Sequence, residues 1–154
     1  MWTSYRLKAL CALTLAAAAS AHAAMGLAQI DASAEDGPIT LYYPTASPSR
    51  TVMRGPFALQ VAQQATPARG NGRLVVLSHG SGGSPWVHHD LAQSLVEAGF
   101  VVALPQHRGD NHTAISGVGP DSWAQSPAEV SRTIDALGRD ARFAPLLALD
   151  RVGL

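Results

Sequence analysis

Two uninterrupted apolar runs, residues 74–77 (Leu-Val-Val-Leu) and 100–104 (Phe-Val-Val-Ala-Leu), break an otherwise mixed pattern of hydrophobic and polar positions. Runs of this length bounded by turn residues suit strands covered on both faces. Between them Val87, Leu91, Leu95 and Ala98 recur at helical spacing, and Gly99 falls where a left-handed residue closes a helix. The pattern predicts a strand–helix–strand unit with a right-handed crossover. Residues 106–125 form a long polar stretch and predict a loop. Ser126, Pro127 and Glu129 then predict a helix start, with Ser as N-cap and Glu three residues after it. Val130, Ile134 and Leu137 supply that helix with an apolar face. Residues 143–149 suit a short turn or irregular helix, and residues 151–154 open another strand.

The earlier part of the chain carries weaker signals. Residues 38–44 are β-rich and bracketed by Pro38 and Pro44, which predicts a short strand near a sheet edge. Residues 45–49 are turn-like, residues 57–62 alternate weakly as a strand would, and residues 66–71 predict a loop. Residues 24–36 are small and polar and predict a loose lead-in. Together these elements give an α/β fold of three layers, a mostly parallel sheet flanked by helices.

The first 23 residues have a different character. Arg6 and Lys8 precede an apolar stretch of eleven residues, 9–19, and Ala21-His22-Ala23 fits a small-x-small cleavage site. The pattern predicts an export signal removed before Ala24, hence a periplasmic or secreted protein. Eleven apolar residues are too few to cross a bilayer of about 30 Å as a helix, so no stable membrane insertion is expected. Cys11, the only cysteine, lies within this signal. The exported chain would have no disulfide and would rely on its core.

Composition narrows the function classes. The chain has 154 residues, formal net charge +0, 47% hydrophobic and 14% charged residues. No basic stripe is present, which argues against a nucleic-acid partner. One globular domain over residues 37–154 fits these values.

The chemistry concentrates where the first apolar run ends, at His79-Gly80-Ser81-Gly82-Gly83. Acyl transfer builds negative charge on a former carbonyl oxygen, and fixed backbone N–H donors lower that barrier. A glycine-rich turn after a strand can present such donors, because glycine accepts positive φ and admits close approach. The N–H of Ser81 is the candidate donor, with His79, Gly80, Gly82 and Gly83 shaping the turn. A tight turn without ligand is the plainer alternative. A phosphate loop fits poorly, since no Gly-Lys-Ser/Thr follows and Pro85 breaks the dinucleotide pattern.

His79, His88, His89, His107 and His112 invite a metal reading. His88 and His89 are adjacent and would diverge on a helix, and no His-x3-His pair completes a tetrahedral set. No metal or organic cofactor is therefore expected. His79 and His107 are expected to brace the turn and the end of the following strand. His107, Asp110 and Asn111 are also candidates to line a substrate cleft at that strand end, with a solvated loop as the alternative for the last two.

Ser78-His79-Gly80-Ser81-Gly82-Gly83-Ser84, followed by Leu104-Pro105-Gln106-His107-Arg108-Gly109-Asp110-Asn111, resembles the dienelactone hydrolase-like α/β hydrolases, relatives of the platelet-activating-factor acetylhydrolases. Leu41-Tyr42-Tyr43-Pro44, Arg54-Gly55-Pro56-Phe57 and Ser126-Pro127-Ala128-Glu129-Val130-Ser131 are similar to that group as well. The resemblance covers residues 37–154. It implies a serine-type hydrolase of small-molecule esters, with an oxyanion hole from Ser81 and the residue after the nucleophile. It also implies a Ser…Asp…His triad. No serine here stands in G-x-S-x-G, so the elbow and its partners are expected beyond Leu154. The chain then corresponds to an N-terminal portion, inactive alone and exposing apolar sheet edge. Two other readings stay open: a non-catalytic truncated product, or an α/β binding module whose glycine turn holds an anion.

Overall fold

The computed structural model describes residues 24–154, so the predicted signal in residues 1–23 lies outside the described residues. The elements are β1 (Ala24–Ile30), β2 (Ile39–Thr45), β3 (Arg50–Arg54), β4 (Phe57–Gln63), β5 (Leu74–Val76), α1 (His89–Glu97), β6 (Val101–Pro105), α2 (Pro120–Arg139), a 3-10 turn (Ala144–Leu146) and β7 (Val152–Gly153). Seven strands form one sheet in the order β3-β4-β1-β2-β6-β5-β7. The sheet is mixed. Parallel pairing joins β6, β5 and β7, and also β1 with β4. The other neighbours are antiparallel.

Two apolar clusters lie on opposite faces. Leu41, Tyr43, Leu74, Val76 and Ala103 pack with Leu137 of α2 and with Phe143. Met25, Leu27, Tyr42, Val102 and Leu104 pack with Ala92 and Val96 of α1. Successive residues of β2 and β6 point to opposite clusters, as the two-residue period of a strand requires. Burial on both faces explains the continuous apolar runs.

Four local expectations change. The lead-in is not loose: residues 24–30 form β1, inside the sheet between β4 and β2. Its Met25 and Leu27 face one cluster and Ala28 the other. β2 is likewise interior. Its one proline, Pro44, is tolerated because pairing with β6 covers Ile39 to Tyr42 and stops before it, and Pro38 lies outside the strand.

α1 buries Ala92 and Val96, with Leu95 packed beside them, whereas Val87 and Leu91 are about half exposed. Both stripes satisfy helical spacing, and only the sheet decides between them. α2 begins at Pro120, not at Ser126, and runs through Pro127. Pro120 occupies the first turn, where a missing N–H costs nothing. Pro127 forgoes one internal hydrogen bond. Glu129 does not cap the helix, because its carboxylate is bonded to the loop after β6.

Candidate active site

β5, paired on both sides, delivers the glycine turn to the C-terminal end of the parallel strands. Leu77 still donates its N–H to Ala103 O at 2.9 Å, and the chain then leaves the ladder. Gly83 N–H bonds to Gly80 O at 2.9 Å, closing a four-residue turn. Gly82 sits third in it with φ +67°, the left-handed value that a type II turn demands. A Cβ on Gly83 would lie 2.8 Å from Gly80 O, so packing also requires glycine there. Gly80 differs: a Cβ on it would meet nothing within 4 Å. Its bareness leaves backbone open to a ligand. Among the described residues, the N–H groups of His79, Gly80 and Ser81 find no acceptor in the protein.

Asp110 fixes this turn from below. Its Oδ1 accepts the Gly82 N–H at 2.7 Å, and its Oδ2 accepts the hydroxyls of Ser81 at 3.0 Å and Ser122 at 2.9 Å. Burial alone would raise the Asp110 carboxyl. The bonds from Gly82, Ser122 and Ser81 outweigh it and hold the group below its ordinary 3.8, with His79 assisting. Trp123 Nε1 donates to Ser81 Oγ at 2.9 Å, so the start of α2 also grips the turn.

His79 lies between the turn and the loop after β6. Its Nε2 accepts the His107 N–H at 3.3 Å. The ring proton therefore sits on Nδ1, 2.9 Å from Gly80 O. Burial is the main cause that keeps this imidazole below its ordinary 6.5. The bond to Gly80 opposes it and neighbouring His107 adds to it. The His79 ring thus braces the backbone at both strand ends.

His107 does more. Its Nδ1 lies 2.5 Å from Glu129 Oε2 and its Nε2 lies 2.7 Å from Ser78 Oγ. Glu129 Oε1 also accepts the Arg108 N–H at 3.1 Å. Asn111 ties the loop together by donating to His107 O at 2.7 Å and accepting from Thr113.

The polar loop is thus folded inward. His107, Asp110 and Asn111 are each 4% exposed. They support the turn from inside instead of lining an open cleft, because every polar end has an internal partner. Reading the sequence alone missed Ser78, Ser122, Trp123 and Glu129.

An apolar cleft of about 720 Å³ opens beside the turn, with Leu77, Ser78, Leu91, Trp123, Val130 and Ile134 among its walls. A second cavity of about 630 Å³, reaching Tyr42, Arg54 and Trp86, contains none of the hydrogen-bonded groups above. Among the described residues no cluster of His, Cys, Asp and Glu is placed to hold a metal ion. No helix there is long and apolar enough to cross a membrane.

No protein-family model matches the sequence, and no curated protein matches it. Among solved structures, the chain is similar to a ferulic acid esterase from Streptomyces cinnamoneus, with a TM-score of 0.58 and 21% identity. The match covers 89% of this chain and 53% of that one, so the chain spans about half the esterase's length. At this identity the likeness concerns architecture alone: the described residues share an α/β fold with about half of that structure.

Proposed function

We propose that the protein is a serine-type carboxylic ester hydrolase of the dienelactone hydrolase-like kind, acting on small-molecule esters without a cofactor. One observation carries this reading. At the C-terminal end of β5, a turn with unshielded Gly80 carries the N–H groups of His79, Gly80 and Ser81, for which no acceptor appears among the described residues, while Asp110 locks it in place. Such a constellation suits a developing oxyanion, because donors already fixed need no reorganisation when charge appears. The ferulic acid esterase likeness supports the same direction.

In this reading the Ser81 N–H supplies one oxyanion donor. The nucleophile elbow with its serine follows β7, and the acid and histidine come later still. Export through residues 1–23 belongs to the same proposal. The protein read from the whole gene should hydrolyse p-nitrophenyl acetate or butyrate with burst kinetics, and the exported form should begin at Ala24. Absence of ester turnover by that folded product would defeat the reading. Intact Met1 on the exported protein would defeat the export part alone.

A further inference from the structure

Ser78, His107 and Glu129 come from three separate elements, the end of β5, the loop after β6 and α2, and meet in one line. His107 is 4% exposed and Glu129 5%. Glu129 Oε2 accepts the Nδ1–H of His107 at 2.5 Å, which leaves the Nε2 lone pair facing Ser78 Oγ at 2.7 Å. The carboxylate is itself fixed by the Arg108 N–H on its other oxygen. Ser78, unlike its partners, is exposed and forms part of the apolar cleft wall. A hydroxyl on a base, oriented in turn by a buried acid, is how an activated nucleophile is recognised, whatever the order in sequence.

We infer that Ser78 is a second acyl-accepting nucleophile, with His107 as its base and Glu129 as the group that orients the base. This goes beyond the esterase reading above, whose nucleophile follows β7. It also departs from the expectation that residues 24–154 carry no nucleophile. The substrate class is an ester with an apolar acyl group, seated against Trp123, Val130 and Ile134 in the cleft. Ser78 Oγ forms the new bond to the carbonyl carbon as its proton passes to His107 Nε2. The oxyanion falls to the N–H groups of the adjacent turn. Collapse breaks the ester C–O bond, and the leaving alkoxide takes the proton from Nε2. A water molecule, deprotonated by the same nitrogen, then releases the acid and restores Ser78.

A purely structural relay would have the same distances, so reactivity has to decide. The 154-residue chain is treated with a fluorophosphonate, in which the serine oxygen replaces fluoride at phosphorus, and the labelled peptide is mapped by mass spectrometry. One label at Ser78 is expected. Ser78→Ala should abolish it in protein that circular dichroism shows to be folded, with the melt lowered by no more than the loss of the one hydrogen bond to His107. Glu129→Gln should slow labelling at least tenfold in protein that remains folded. Denatured protein should not react.

No label on folded chain, a label on another serine, or labelling that survives Ser78→Ala would overturn the assignment. The whole-gene product is mapped in parallel, and it serves if the shorter chain does not stay folded. There, labelling of an elbow serine without Ser78 would refute the Ser78 proposal and leave the esterase reading standing. Labelling of Ser78 without an elbow serine would do the reverse.

Discussion

The two long helices cover opposite faces of the same sheet, yet they bury different chemistry. α1 buries Ala92 and Val96 and no polar side chain. α2 buries Leu137 together with Ser122, Glu129 and Thr133. Thr133 satisfies itself by donating to Glu129 O at 2.9 Å. Ser122 and Glu129 instead reach across to Asp110 and His107. Apolar contact is the main hold on α1, with Asn71 bonding Ala98 O and Gly99 O just past its last turn, whereas α2 also sets the backbone of two strand-end loops. Damage on the α1 side should therefore lower stability without touching chemistry, and damage on the α2 side should reach the turn.

The largest effect should come from the turn itself, in the folded product that carries the proposed esterase activity. Ser81 stands second in the four-residue turn, where proline is well accommodated. Ser81→Pro therefore deletes the N–H with little harm to the fold. It should cut kcat by about 10²–10³, about 3–4 kcal/mol of transition-state stabilisation. Ser81→Ala keeps the N–H and loses only the hydroxyl bonds to Asp110 and Trp123, so most of kcat should remain. Steady-state kinetics on both variants would settle it, and equal losses would remove Ser81 from the oxyanion hole.

Next in size is the anchor beneath the turn. Asp110→Ala leaves the Gly82 N–H and the Ser81 hydroxyl without their acceptor, while the Ser122 hydroxyl keeps Gly119 O. The loss of bonds to a charged acceptor at a buried place should cost about 2–3 kcal/mol in chemical denaturation. Activity should fall as well, because the turn is no longer fixed. The matching change on the other face is Val96→Ala, which removes two buried carbons and leaves a small cavity. It should cost about 2 kcal/mol and leave kcat unchanged at temperatures where the variant is folded. A kcat loss in Val96→Ala comparable to that of Asp110→Ala would erase the distinction between the helices.

Much of this architecture is legible in the sequence because apolar continuity and helical spacing report burial directly. β5, β6 and the body of α2 follow from residues 74–77, 100–104 and the Val130, Ile134, Leu137 stripe. β1 does not stand out, since Gly26 and Ala28 carry little side chain to show alternation. Gly26 is small for a packing reason: a Cβ there would fall 2.3 Å from the Tyr43 ring. The site is harder to read. Ser78 looks like the last residue of a strand, and Glu129 looks like part of a capping box around Ser126. Nothing in their spacing brings them to His107, which only the β6–loop–α2 path accomplishes. Local chemistry is visible in the sequence where one turn holds it, and invisible where three elements assemble it.

Acidification should separate the two sides of the sheet by the smallest effect. His79 and Asp110 both belong to the polar side, and in both the folded state binds protons less readily than the unfolded chain. For His79 the stability gained from staying neutral is complete above its ordinary 6.5 and declines as pH falls below it. For Asp110 the contribution is complete above its ordinary 3.8 and disappears as pH falls through the lower folded value. The melting temperature of folded protein should therefore hold level from pH 8 to about 7, drift downward below about 6.5, and drop further below about 4. His79→Gln should flatten the upper part of the curve and Asp110→Asn should reduce the lower part, the remainder of which belongs to Asp140, held low by its bond from Arg142, whereas Val96→Ala should shift the whole curve down with its shape unchanged. A Val96→Ala curve that changes shape, or a His79→Gln curve that keeps the upper decline, would show that acid sensitivity is not confined to the α2 face.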